Sequence, residues 1–162
     1  IIGSTMFQQQ LQNLASNLST QNLKVTCAES CTGGLLAANL TRLPGSSAWF
    51  DMGFVTYSNE AKQQMLNVNP TTLAHYGAVS EEVVREMALG ALISSKADYA
   101  LSISGIAGPA GGSEDKPIGL VWFGLASKKR IWAESKTFNG DRDQVRAQAV
   151  QHAVQLLLSK LD

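Results

Sequence analysis

Apolar residues return at helical spacing near the start of the chain. Phe7, Leu11, Leu14, Ala15 and Leu18 share one face and predict a first helix. A short apolar run, Leu23-Lys24-Val25-Thr26-Cys27, reads as a strand. Ala28-Glu29-Ser30-Cys31-Thr32-Gly33-Gly34 then turns the chain into a second helix, Leu35-Leu36-Ala37-Ala38-Asn39-Leu40. Leu43-Pro44-Gly45-Ser46-Ser47 breaks that helix, and Trp49 through Tyr57 reads as another strand. Ser58-Asn59-Glu60 starts a short helix that runs to about Leu66, where Asn69-Pro70 stops it.

In the second half, Ser80 caps a helix whose first turn carries Glu81 and Glu82. From Asp98 to Ser104, Tyr99, Leu101 and Ile103 alternate with Ala100, Ser102 and Ser104, the pattern of a strand with one small, polar face. A loop with Gly105, Gly108, Pro109, Gly111, Gly112 and Pro117 leads to Ile118–Ala126, apolar throughout as in a strand buried on both faces. Ile131 to Phe138 reads as its hairpin partner. Asn139-Gly140 turns the chain, Asp141 and Gln144 form a capping box, and Val145, Ala149, Ala153, Leu156 and Leu157 give the last helix an inward stripe. The order α-β-α-β-α-α-β-β-β-α predicts an α/β fold: a single layered domain over residues 1–162, with a mixed β-sheet flanked by helices in an α/β/α sandwich. Residues 1–5, before Met6, read as a remnant of cloning.

A chain of 162 residues with 44% hydrophobic content suits one compact domain. Thirteen basic and thirteen acidic residues cancel, so nothing in the net charge marks a nucleic-acid or membrane partner. No apolar run approaches the roughly 20 residues of a membrane span, and the N-terminus lacks the zones of a signal peptide. A cytoplasmic protein is expected. Cys27 and Cys31 have no histidine at finger-like spacing, so no metal site is expected. Cys27 reads as buried and Cys31 as partly exposed and reactive.

Three segments carry candidate chemistry. Amide hydrolysis needs a nucleophile, a base and donors for an oxyanion. The first turn places the Ser30 and Thr32 hydroxyls beside a helix N-terminus; Ser30 is either nucleophile or simple cap. The second segment is Tyr57-Ser58-Asn59-Glu60-Ala61-Lys62. Lys62 serves as a base if burial lowers its pKa, or is a solvated helix lysine. Tyr57 either supports the nucleophile or is an edge aromatic. The third is Ser104-Gly105-Ile106-Ala107-Gly108-Pro109, at a strand's carboxyl end, either a ligand loop or a plain flexible one.

Other patterns point nowhere. Ser113-Glu114-Asp115-Lys116 matches S-x-x-K but sits in a glycine-rich loop, and no phosphate loop or nucleophile elbow is present. His152 reads as a packed helix histidine. Arg142 and Arg146 either clamp a phosphate or lie in solvent. Trp49, Phe50 and Trp132 suit an interface or the core equally.

Taken together, Ala28–Gly34, Gly45-Ser46-Ser47, Gly53–Lys62, Gly77-Ala78-Val79-Ser80, Ser104–Pro109 and Gly140-Asp141-Arg142 resemble the CinA C-terminal domain family, in matching order from about Leu11 to the last helix. Its stand-alone bacterial members are nicotinamide-nucleotide amidases of the PncC type. The resemblance implies hydrolysis of nicotinamide mononucleotide to nicotinate mononucleotide and ammonia, in pyridine nucleotide recycling. It implies Ser30 as nucleophile, Lys62 as base and Tyr57 as a supporting hydroxyl. Thr32, Gly33 and Gly34 would supply oxyanion or ligand donors. Gly105, Ile106, Ala107, Gly108 and Arg142 would bind the nucleotide, with Ser46 and Ser47 also lining the site. The resemblance calls for no cofactor and no metal, and suggests a homodimer or higher homo-oligomer. The family also holds silent paralogues, so the alternative function is a module that binds or senses pyridine nucleotide.

Overall fold

The computed structural model describes residues 3–161. Helix α1 (Thr5–Gln21) opens the chain, with Ser4 as its cap. Strand β1 (Val25–Glu29) leads to α2 (Leu35–Leu40), then to β2 (Phe54–Val55), α3 (Asn59–Leu66), α4 (Pro70–Tyr76) and α5 (Glu81–Ser95). Strands β3 (Tyr99–Gly105), β4 (Leu120–Ser127) and β5 (Ile131–Thr137) precede α6 (Arg142–Lys160). The sheet order is β2-β1-β3-β4-β5; β1 runs parallel to β2 and β3, while β4 and β5 form an antiparallel hairpin beside β3.

The two faces of this mixed sheet are covered separately, as the α/β/α expectation requires. On one side α1, α2 and α6 bury Phe7, Leu11, Leu14, Leu36, Leu40, Val145, Ala149 and Leu157. On the other, α5 lays Val83, Val84, Met87 and Ala91 on the sheet, with Leu66 of α3 and Leu73 of α4 behind them. Every residue of β1 is therefore buried, including Thr26 and Glu29. Helix α3 crosses α5 at Gly90, where any Cβ would collide with the Leu66 carbonyl. That close approach sets the position of α3, and hence of Lys62.

Three local expectations need correction. The strand at residues 23–27 begins and ends two residues later, because pairing to both parallel neighbours carries it through Glu29. The long strand at residues 49–57 shrinks to Phe54–Val55. Trp49 turns into the core and Gly53 packs on the Cys27 sulfur, so only a bridge from Phe50 to Val25 and the final pair remain. Asn69-Pro70 ends α3 but also starts a helix absent from the sequence reading: Asn69 caps α4 and Pro70 takes its first position, where no N–H is needed. The capping box at Asp141 and Gln144 is present, and the predicted stripe of α6 is buried.

Candidate active site

The carboxyl ends of β1 and β3 meet the N-termini of α3 and α6 around a cleft of about 300 Å³. Ser30, Cys31, Tyr57, Asn59, Lys62, Ser104, the Gly105–Gly108 loop and Arg142 line it. Ser30 is the first residue beyond β1. Its N–H donates to the Ile103 carbonyl at 3.0 Å, which fixes the backbone, and its side chain is nearly buried.

Lys62 lies one turn into α3, behind the Ser58 cap. Helical side chains lean toward the N-terminus, so its stem runs back to the start of the helix. There Nζ lies 2.9 Å from Ser30 Oγ, 2.9 Å from the Thr56 carbonyl and 3.1 Å from that of Tyr57. Its side chain has no solvent exposure, which excludes the solvated helix lysine. Burial pulls its pKa from 10.5 to about 8, against a smaller opposing effect of Cys31. The amine donates to Ser30 Oγ, and the Ser30 hydroxyl donates to the Tyr57 carbonyl at 3.3 Å; a neutral amine that keeps its N–H bonds to the two close carbonyls can turn its lone pair to Ser30.

Arg142, at the start of α6, donates to the Gly108 carbonyl at 2.8 Å and to the Tyr57 hydroxyl at 3.2 Å. The exposed Tyr57 and the glycine loop are thereby joined across the cleft mouth. Arg146 points elsewhere: it donates to the Cys31 and Thr32 carbonyls at 3.1 Å each and ties the turn after β1 to α6.

That turn differs from its sequence reading. The α2 N-terminus is closed, because the fully buried Glu29 carboxylate accepts the N–H groups of Leu36 at 2.8 Å and Ala37 at 3.0 Å. The carboxylate holds a helix rather than facing the cleft. The Gly33 N–H donates to the Ser30 carbonyl. Thr32, Gly33 and Gly34 do not line the cleft, and the Thr32 hydroxyl is buried without a hydrogen-bond partner among the described residues. Ser46 and Ser47 sit in a one-turn 3-10 helix, also away from the cleft lining. Cys31 is a cleft residue, but buried, and burial pushes its thiol up to about 11; it is not the exposed, reactive thiol expected. Asn59, Cys31, Ala78 and Val79 line the cleft without having been singled out as site residues. Their only signal was membership of the motifs around Ser30, Lys62 and Ser80.

Among the described residues, no group of three or more His, Cys, Asp or Glu gathers as a metal site, and no helix is long and apolar enough to cross a membrane. His152 packs on the Phe123 ring at 4.5 Å and meets Glu134 at 2.6 Å, and it does not line the cleft.

Comparison with known proteins places this arrangement. A protein of Enterobacter agglomerans named nicotinamide-nucleotide amidohydrolase PncC is 56% identical over 146 residues, covering 90% of this chain and 89% of that protein. A protein of the same name from Pseudomonas putida is 48% identical over 145 residues, covering 90% and 91%. The crystal structure of competence damage-inducible protein A (ComA) from Klebsiella pneumoniae superposes with a TM-score of 0.93 at 41% identity, covering 96% of each chain. The model of the CinA C-terminal domain matches residues 8–161, a span that contains every residue lining the cleft. With sequence and fold in agreement, the chain belongs to the CinA C-terminal domain family.

Proposed function

We propose that this protein is a nicotinamide-nucleotide amidohydrolase that converts nicotinamide mononucleotide to nicotinate mononucleotide and ammonia. The observation that carries the reading is the 2.9 Å contact between a buried Lys62 amine and Ser30 Oγ. The names of its relatives supply the substrate.

Ser30 Oγ attacks the carboxamide carbon as its proton passes to Lys62 Nζ. The tetrahedral intermediate expels ammonia, which leaves with the proton that Lys62 now holds. The acyl group remains as an ester on Ser30. Water attacks that ester, gives a proton to Lys62, and the collapse returns the serine and frees the carboxylate. A pKa of about 8 suits both directions of this transfer, because an amine near neutrality is neither too weak a base nor too weak an acid.

The Gly33 N–H is given to the Ser30 carbonyl and the Ile106 N–H to the Leu120 carbonyl, so the backbone N–H groups of Ala107 and Gly108 stand as the oxyanion or ligand donors of the loop. Arg142 supplies the cation that a nucleotide phosphate requires at the cleft mouth. A cytoplasmic role in pyridine nucleotide recycling accompanies this reading.

The test is ammonia release from nicotinamide mononucleotide by the purified protein, with Ser30→Ala alongside. The expected result is turnover by the parent and loss of at least about a thousandfold in the folded variant. Equal release by both would remove Ser30 from the mechanism. A folded parent that binds the nucleotide without turning it over would instead be a binding or sensing module.

A further inference from the structure

Ser113-Glu114-Asp115-Lys116 has no helix to make it a serine–lysine pair, yet it has a defined place in the structure. It forms the tip of the long connection from β3 to β4. Two hydrogen bonds close it into a turn: the Ser113 N–H donates to the Lys116 carbonyl at 2.8 Å, and the Lys116 N–H to Ser113 Oγ at 3.1 Å. The base of the connection is tied as well. There the Ile106 N–H donates to the Leu120 carbonyl at 2.9 Å, and the Gly119 N–H to that of Ile106 at 2.7 Å. Between base and tip, Ile106, Ala107, Gly108, Ala110 and Gly111 form part of the cleft wall.

Along residues 109–118 every residue is exposed except Lys116, which is half-buried. Its amine donates to the carbonyl of Tyr76, the last residue of α4. A helix end leaves such carbonyls without an intrahelical partner, and a lysine ammonium is well suited to take one. Gly77 leaves room for it: a Cβ there would stand 2.9 Å from Nζ, and the φ of 76° is one that side chains disfavour. The far anchor is fixed in turn, because Ser80 Oγ donates to the Gly77 carbonyl at 2.7 Å and caps α5. The next two residues, Ala78 and Val79, also line the cleft. Lys116 therefore joins two segments of the cleft wall without lining the cleft itself. Among the described residues, no other hydrogen bond or ion pair leads from residues 109–116 to the rest of the protein.

We propose, on the reading of this cleft as a nicotinamide-nucleotide site, that Lys116 is a positioning residue: it straps the glycine loop to the turn between α4 and α5 and holds the cleft in its nucleotide-binding shape. Arg142 holds the Gly108 carbonyl, and Lys116 holds the tip beyond it. Together they fix the span that carries the Ala107 and Gly108 N–H groups. With the strap broken, the loop visits open states and only the strapped fraction binds. The apparent affinity falls by that fraction, whereas saturating nucleotide still draws the loop shut. The signature is a raised KM with little change in kcat. A charge-assisted bond at a half-buried position sets the scale at about five- to tenfold.

Two readouts on the purified protein test this, one of them independent of turnover. Glu114 is the only glutamate in residues 106–119, so a glutamate-specific protease reports how freely the tip opens. Lys116→Met should be cut after Glu114 about five- to tenfold faster than the parent, followed by mass spectrometry. In ammonia release from nicotinamide mononucleotide, the same variant should raise KM about five- to tenfold and keep kcat within about twofold. Lys116→Arg keeps a charged donor at the tip and should stay within about threefold of the parent in both readouts. Thermal unfolding of each variant confirms that it is folded. Equal cleavage of parent and Lys116→Met would overturn the strap; if KM rose all the same, Lys116 would be a direct contact to the nucleotide. A fall in kcat at unchanged KM would overturn the proposal too, since loss of folded enzyme alone produces it. A parent without turnover would refute the amidase reading instead. The dissociation constant for nicotinamide mononucleotide then takes the place of KM, and cleavage after Glu114 decides the strap by itself.

Discussion

If Lys62 acts as the base, only its neutral form is competent, and the rate must follow the deprotonation of a buried amine. Burial sets that step at about pH 8. About 1% of the enzyme carries the free amine at pH 6, about 9% at pH 7, half at pH 8 and about 90% at pH 9. The quantity kcat/KM, which reports the free enzyme, should therefore rise about fivefold from pH 7 to 8 and less than twofold from pH 8 to 9. The sign follows from the shift: a base lowered from 10.5 to about 8 loses its proton earlier, so activity increases with pH and levels off above 8. The nucleotide phosphate titrates near pH 6, so its contribution stays below the window used.

The assay is initial-rate ammonia release between pH 7 and 9.5, with circular dichroism at each pH to confirm folding. Lys62→Arg supplies the control. A guanidinium keeps its proton throughout, so this variant should lose about a hundredfold or more at every pH and show no rising limb. A flat profile, one that falls as the pH rises, or a Lys62→Arg enzyme within tenfold of the parent would refute Lys62 as the base.

Two further outcomes follow from the surrounding geometry. Arg142→Ala should raise KM about 10- to 100-fold, with a smaller change in kcat, since a charge-assisted contact to substrate contributes on that scale; steady-state kinetics that leave KM unchanged would place the phosphate elsewhere. Gly90→Ala should cost about 1–3 kcal/mol, read as a lower melting temperature, because the new methyl meets the Leu66 carbonyl. It should also lower kcat, since Lys62 rides on the displaced helix; a variant with parental melting and turnover would show that α3 tolerates the shift.

What could be read in the sequence was what local chemistry dictates. Helical periodicity revealed α1 and α6, because a face that must be buried repeats every three to four residues whatever it packs against. Caps at Ser58, Ser80 and Asp141 marked helix starts through side-chain bonds that close within three residues. Strand boundaries were less legible. β1 extends through the polar Glu29 because parallel neighbours accept it on both sides, and residues 49–53 keep only the Phe50–Val25 bridge although their composition suits a strand. α4 was hidden because a proline that ends one helix is also well suited to begin the next.

The site divides along the same line. Ser30, Lys62, Tyr57, Arg142 and the Gly105–Gly108 loop stood out as chemically able groups on turns and strand ends, and the fold brings all of them to one cleft. Spacing left each of them with an innocent alternative. Only the tertiary structure could remove the water around Lys62, because 32 residues separate it from Ser30 and the desolvation comes from packing of α3 on α5. The same holds in reverse for the turn after Ser30. By sequence it offers a carboxylate, two hydroxyls and open N–H groups. In the fold Glu29 closes the helix end, Arg146 takes two of the carbonyls, and one hydroxyl alone is left facing the amine. Residue types and short-range spacing thus determined which groups are present and which elements carry them. Burial and long-range contact decided which of those groups share a cavity, since both depend on surfaces that the chain brings together only when it folds.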